Sequence, residues 1–217
     1  TPYVAFSDQD DIWLATKLSV AAAALGSMGT PALYCGRTLL VGADNEEIGL
    51  SPLFSRPAGF ANALVQSIAG ANTMVLNRAG FELVAEAAAR SGFVSHDWFC
   101  YQVISGAGGP VVYDPVPQVR YRQHGENLVG ANTGWQARIG RLWRAWGGRF
   151  VDWNDQNVAT LRQAAKLLTP EALQQLEEFD SARRGKLLER LQHLRQSGVY
   201  RQTPGGQASL WAAAVLG

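Results

Sequence analysis

Tyr3-Val4-Ala5-Phe6-Ser7-Asp8-Gln9-Asp10-Asp11 is the stretch that decides the fold. Its first four residues read as a short buried strand, and that strand runs directly into three carboxylates. In an open parallel sheet such strand ends face the ligand crevice. Carboxylates crowded there repel one another unless a cation or hydrogen-bond donors neutralise them. Mg²⁺ on a diphosphate suits such a place, because it takes only one or two protein carboxylates and fills its shell with phosphate oxygens and water. A solvated acidic loop with Asp11 capping a helix fits the same residues.

Working outward, the pattern alternates as an α/β domain does. Thr16–Met28 reads as an Ala-rich helix closed by Gly29 and Pro31. Ala32–Val41 reads as a strand, and Glu46–Leu50 pairs back across the turn residues Gly42-Ala43-Asp44-Asn45. Pro57 opens a helix through Ile68, Thr73–Leu76 is a strand, and Gly80–Arg90 is a helix. Ser95 is placed to cap a helix over His96–Ser105, followed by strands at Val111–Tyr113 and Val116–Tyr121. Beyond a loop at Gly125–Gly134 the chain turns helical, over Trp135–Phe150, Val158–Leu168 and Pro170–Arg195. The expected division is 1–134 for the α/β part and 135–217 for a helical extension.

The 217 residues are 47% apolar and 17% charged, enough for a real core and unlike a disordered chain. No apolar run approaches the 18 or so residues of a membrane span. Cys35 and Cys100 have neither a zinc-site spacing nor enough company for a disulfide framework, which points to a reducing compartment, the cytoplasm. Residues 1–134 carry a net charge of −4 and residues 135–217 a net +5. That asymmetry suits two parts with different partners but is too mild for a nucleic-acid surface.

Two further segments carry candidate chemistry. Asp97 follows His96 at a helix start, where a carboxylate either complements the helix dipole or serves as a general base. Tyr121-Arg122-Gln123-His124 follows a strand; His124 suits a metal such as Mn²⁺ and Arg122 suits a phosphate, though either also fits an ordinary loop.

Taken together and in order, these segments resemble family 2 glycosyltransferases. Asp8-Gln9-Asp10-Asp11-Ile12-Trp13-Leu14 with Lys17-Leu18 is similar to the Asp-x-Asp segment of the rhamnosyltransferase-like branch. Gly70–Arg78 is similar to its acceptor-side strand, and Ser95-His96-Asp97-Trp98, Tyr113-Asp114-Pro115 and Tyr121–Asn127 with Gly130 complete the pattern. The resemblance is close over 1–134 and loose beyond.

The resemblance implies a partial GT-A, Rossmann-like sheet flanked by helices. It implies inverting transfer from a nucleotide-sugar donor, dTDP-rhamnose first, to a glycan or lipid-linked acceptor. A divalent metal, Mg²⁺ or Mn²⁺, is the implied cofactor, held by Asp10 with His124. Asp8, Asp11 and Arg122 fall on the donor side, Asp97 is the base, and His96 and Trp98 lie toward the acceptor. The family's nucleotide-binding segment ahead of the Asp-x-Asp strand is missing from this sequence. The chain is therefore expected to bind donor weakly, to catalyse no transfer alone, and to leave the strand at Tyr3–Phe6 without one neighbour.

Two other functions compete. A haloacid-dehalogenase-type phosphohydrolase also places Asp-x-Asp after a strand, but neither Lys17 nor Lys166 has the setting it needs. A non-catalytic glycan-binding module would stack Trp98, Tyr101 and Tyr113 on sugar rings. The Trp135–Phe150 helix separates an apolar stripe from Arg138, Arg141, Arg144 and Arg149. It either packs on the protein or makes a peripheral contact with the inner face of the cell membrane.

Overall fold

The computed structural model describes residues 1–123 and 152–216. His124, the 125–134 loop, the helix expected over Trp135–Phe150 and the 134/135 boundary lie outside the described residues. The protein is mixed α/β, with two four-stranded sheets flanked by helices and a helical C-terminal part, as in a partial Rossmann-like fold.

The first sheet holds β1 (Tyr3–Ala5), β3 (Leu33–Gly36), β6 (Val75–Asn77) and β7 (Val111–Asp114) in the order β1-β6-β3-β7. It is mixed rather than purely parallel: β6 runs antiparallel to both β1 and β3, while β3 and β7 are parallel. Both faces are buried, and side-chain alternation sorts them. Leu33, Cys35, Met74 and Leu76 face a core with α3 (Arg78–Ala88) and α4 (His96–Gly106). Tyr34 and Val75 face the opposite core with α1 (Lys17–Leu25). Cys35 and Cys100 are both buried free thiols.

The second sheet holds β2 (Ile12–Trp13), β4 (Leu39–Val41), β5 (Glu47–Leu50) and β8 (Val119–Arg122) in the order β2-β8-β4-β5. The chain passes from the first sheet to the second three times, at β1→β2, β3→β4 and β7→β8. The expected single strand over Ala32–Val41 is divided at one of these passages. Gly36 makes the division feasible, since a Cβ there would lie 3.0 Å from the Asp114 carbonyl oxygen. The hairpin of β4 with β5 forms as expected.

Local sequence was less reliable where distant segments claim the backbone. The helix expected from Pro57 to Ile68 shrinks to α2 (Phe60–Ala63), because Tyr200 donates to the Pro57 carbonyl and Tyr101 bonds both backbone groups of Gly59. The C-terminal part is helical at 152–163 (α5) and continues as α6 (Pro170–Ala182), α7 (Leu187–Ser197) and α8 (Pro204–Leu216). The long helix expected over Pro170–Arg195 thus breaks in two. Pro170 opens α6 in its first turn and Thr169 caps it, while Glu189 reaches back to the Lys186 amide to start α7.

This helical part shares a core with the α/β part. Phe60, Leu64 and Val65 pack with Val158, Leu161, Leu168, Leu176 and Phe179. Gly106, at the end of α4, allows the closest approach: a Cβ there would lie 2.8 Å from Leu168 Cδ2 and 2.9 Å from Phe60 Cε2. No described helix is long and apolar enough to cross a membrane.

Asn77 joins three segments behind the first sheet. Its Oδ1 accepts from the Gly80 amide, capping α3, and from the Ala32 amide; its Nδ2 donates to the Met28 and Thr30 carbonyls. Asn77→Ala removes a cap and strands buried backbone groups. Urea unfolding should register a loss of about 2–4 kcal/mol.

Candidate functional site

The acid loop Ser7–Asp11 spans the first passage between the sheets, and the three carboxylates do not behave alike. Asp11 is held by protein donors: Oδ1 accepts from the Arg122 amide at 3.0 Å and Oδ2 from Asn72 Nδ2. Asp8 stands exposed, and its pKa is raised, first by desolvation and then by the negative charges of Asp11 and Asp10. His96 opposes that shift and Asp97 adds to it, so residues about ninety positions apart share one electrostatic neighbourhood.

The loop is tied down from beneath. Lys17 is 1% exposed at the start of α1. Its Nζ donates to the Asn72 carbonyl at 2.5 Å and the Phe6 carbonyl at 3.5 Å, and it sits 3.5 Å from the centroid of the Trp13 ring. Asn72, in a 3-10 turn over Ala71–Thr73, thereby grips both Lys17 and Asp11. Arg122 closes the loop from above, donating through Nε to the Asp10 carbonyl at 3.0 Å and through Nη1 to the Gly42 and Ala43 carbonyls. Arg122 and Asp11 therefore bind the loop to its surroundings.

A hollow of about 350 Å³ opens beside the loop, where two of the passages between sheets lie. Asp8, Asn72, His96, Asp97 and Tyr121 line it, with Gly36 and Thr38 from the β3→β4 passage. His96 is exposed, and its ring lies 5.6 Å from that of Phe6 at the end of β1.

A second hollow, of about 440 Å³, lies on the other side of Asp97. It is walled by Asp97, Trp98, Ser95 and Gln66 from the α/β part and by Trp153 and Arg201 from the helical part. Among the described residues, Asp97 is thus the one common to the two linings. Ser95 makes no side-chain cap; Asp97 Oδ1 accepts from the Trp98 amide at 2.8 Å, which orients the carboxylate in the first turn of α4.

The proposed sugar-stacking aromatics are corrected by their burial. Tyr101 is wholly enclosed, with its hydroxyl donated to Asn62. Trp98 is 5% exposed and its indole donates to the Ala63 carbonyl, so it walls the second hollow without offering a free ring face. Tyr113 is half-buried and its hydroxyl donates to the Pro52 carbonyl. Stacking by Trp98 and Tyr101 would require them to leave the core.

For a divalent cation, the loop offers the carboxylates of Asp10 and Asp8 beside Asp11, which accepts from the Arg122 amide and Asn72. No group of three or more His, Cys, Asp or Glu residues converges as a metal cage among the described residues. Two hard carboxylates fit a cation completed by phosphate oxygens, and do not fit a cage made only of protein ligands. Lys17, Asn72, Trp153 and Arg201 were missed as site residues in the sequence reading. The signal for Lys17 was available: a rare Lys among many Arg, opening an otherwise apolar helix directly after the acid loop.

The chain is similar to the dTDP-rhamnosyl transferase RfbG of Shigella flexneri, at 27% identity over 150 residues, 64% of this chain. It spans about half of that curated relative's length, 49%. No protein-family model matches.

Burial pulls the Lys17 ammonium down from 10.5 to about 8, with Asp11 and Asp8 opposing. Between those values the unfolded chain holds a proton that the folded chain has released, so this group makes folding more favourable as pH rises. Lys17→Met abolishes that contribution. Urea unfolding near pH 7.5 and near pH 10 should show the wild type gaining on the variant at the higher pH; an equal gap at both would exclude titration of Lys17 in this range.

Proposed function

We propose that the chain is the acceptor and metal-site half, residues 1–134, of an inverting GT-A glycosyltransferase, with 135–217 as a helical extension. The observation that carries this reading is Asp97 standing between two hollows, one shared with Asp8 and the other walled by the helical part. The similarity to a dTDP-rhamnosyl transferase favours dTDP-rhamnose as donor.

The donor's diphosphate end occupies the acid-loop hollow and the acceptor enters from the second. Asp97 takes the proton of an acceptor hydroxyl as that oxygen attacks the anomeric carbon from the face opposite the diphosphate. One C–O bond forms while the bond to the diphosphate oxygen breaks, and the configuration inverts. Asp10, with Asp8, would hold Mg²⁺ or Mn²⁺, which when bound supplies charge neutralisation for the departing diphosphate. Asp11 and Arg122 keep the loop in place for that work. His96 borders the donor-side hollow, and Trp98 shapes the acceptor side.

Asp97→Asn in the protein expressed from its complete reading frame should lose on the order of 10²–10⁴ in transfer rate while donor affinity stays within a few-fold. Steady-state transfer and calorimetric donor titration, run side by side, check both halves; undiminished transfer removes Asp97 from the role. Trp153→Ala should raise the acceptor KM roughly tenfold and leave the donor KM unchanged. A matching rise in the donor KM would move Trp153 out of the acceptor site.

A further inference from the structure

The hollow walled by Asp97 and Trp153 holds a polar group that the mechanism leaves unused. Gln66, just past α2, is half-buried on its wall. Its Oε1 accepts from the Gln202 amide at 2.9 Å and from Asn62 Nδ2 at 3.5 Å. A backbone N–H can only donate, so the oxygen of this side chain is the atom turned to Gln202, and the nitrogen is left over. Nε2 has no partner among the described residues, and it is open to water rather than enclosed.

The amide is held there by a strap from near the end of the chain. Gln202 is 7% exposed; its side chain accepts from the Arg56 amide at 3.0 Å and donates to the Arg56 carbonyl at 3.1 Å. Asn62 is wholly buried, donates to the Tyr200 carbonyl at 2.8 Å and accepts from the Tyr101 hydroxyl at 2.9 Å. Gln66 is therefore fixed before any ligand arrives, and little side-chain freedom remains to be lost on binding.

The same lining carries Asp97, a carboxylate that accepts, while Trp98 and Trp153 supply apolar wall. Arg201 also borders it and is turned to the Val65 carbonyl, to which Nη2 donates at 3.0 Å. A sugar ring complements this set: one hydroxyl to donate, a second oxygen to accept, and an apolar ring body. A phosphate or carboxylate would bring negative charge toward Asp97, and a bare hydrocarbon would leave both polar groups unpaired. The volume suits a small ligand.

We propose that Gln66 is a specificity-determining residue for the acceptor sugar. Its Nε2 donates to one oxygen of an uncharged pyranose whose other hydroxyl is presented to Asp97. A ring that can satisfy only one of the two groups is discriminated against. The use of this contact in acceptor choice rests on the transferase reading; the sugar contact itself does not.

The test is NMR titration of the 217-residue chain with the methyl pyranosides of L-rhamnose, D-glucose and D-galactose. Cyclohexanol, a six-membered ring with a single hydroxyl, is titrated beside them. The side-chain NH₂ resonances of Gln66 should move with at least one pyranoside and saturate in the millimolar range. Cyclohexanol should bind at least roughly fivefold more weakly. Gln66→Glu keeps an acceptor for the Gln202 amide but loses the donor, and should bind that pyranoside roughly fivefold to tenfold more weakly. The wild-type resonances need no variant to fold. Gln66 resonances unmoved by all three pyranosides up to about 100 mM, equal affinity for cyclohexanol, or undiminished binding by Gln66→Glu would overturn the assignment. Neither donor nor transfer enters the measurement, so its failure and that of the transferase reading are separate results.

Discussion

The acid loop can exist only because a buried cation and a buried amide hold it from below. Three carboxylates at one strand end would drive the loop apart or outward into water. Lys17 places a charge under them, anchored on the Phe6 and Asn72 carbonyls, while Asn72 turns its amide to Asp11. The loop is thereby divided into a structural carboxylate, Asp11, and an exposed one, Asp8, whose charge its neighbours disfavour. On the proposed reading, a cation and a diphosphate would use this division: anchoring that fixes the geometry, and carboxylates whose repulsion the incoming ligand would relieve.

The second constraint is the seating of α4. This helix packs one side into the core under the first sheet, and Gly106 lets its far end contact Phe60 and Leu168. The helical part is consequently more than an appendage. Through the shared core it supplies Trp153 and Arg201 to a hollow that the α/β part could not close alone. Asp97, in the first turn of α4, becomes the partition between that hollow and the one beside the acid loop.

Much of this was legible in the sequence, and the failures are instructive. The hairpin at Glu47–Leu50 follows from local patterning because β4, its partner, is also its neighbour in sequence; the strand leading into Asp8 and the helix beginning at His96 were legible from residue type alone, although β1 pairs with the distant β6. The α2 segment was over-extended because Tyr200 and Tyr101 claim its leading backbone, and both lie far along the chain. The competing glycan-binding reading stacks Trp98 and Tyr101 on sugar rings; two hydrogen-bond acceptors on α2, the Ala63 carbonyl and Asn62, draw them inside.

Sequence alone determined the alternation of strands and helices, the position of the acid loop after its strand, and the presence of an acidic residue at a helix start ninety positions later. Each depends on spacing and residue type within a few positions. Only the tertiary structure decided which aspartate is anchored and which is exposed, and that Asp97 faces two hollows at once. Those outcomes depend on donors and walls contributed by Asn72, Arg122, Trp153 and Arg201. A carboxylate's role is set by the groups that surround it, and those groups come together only when the sheets and the helical part have packed.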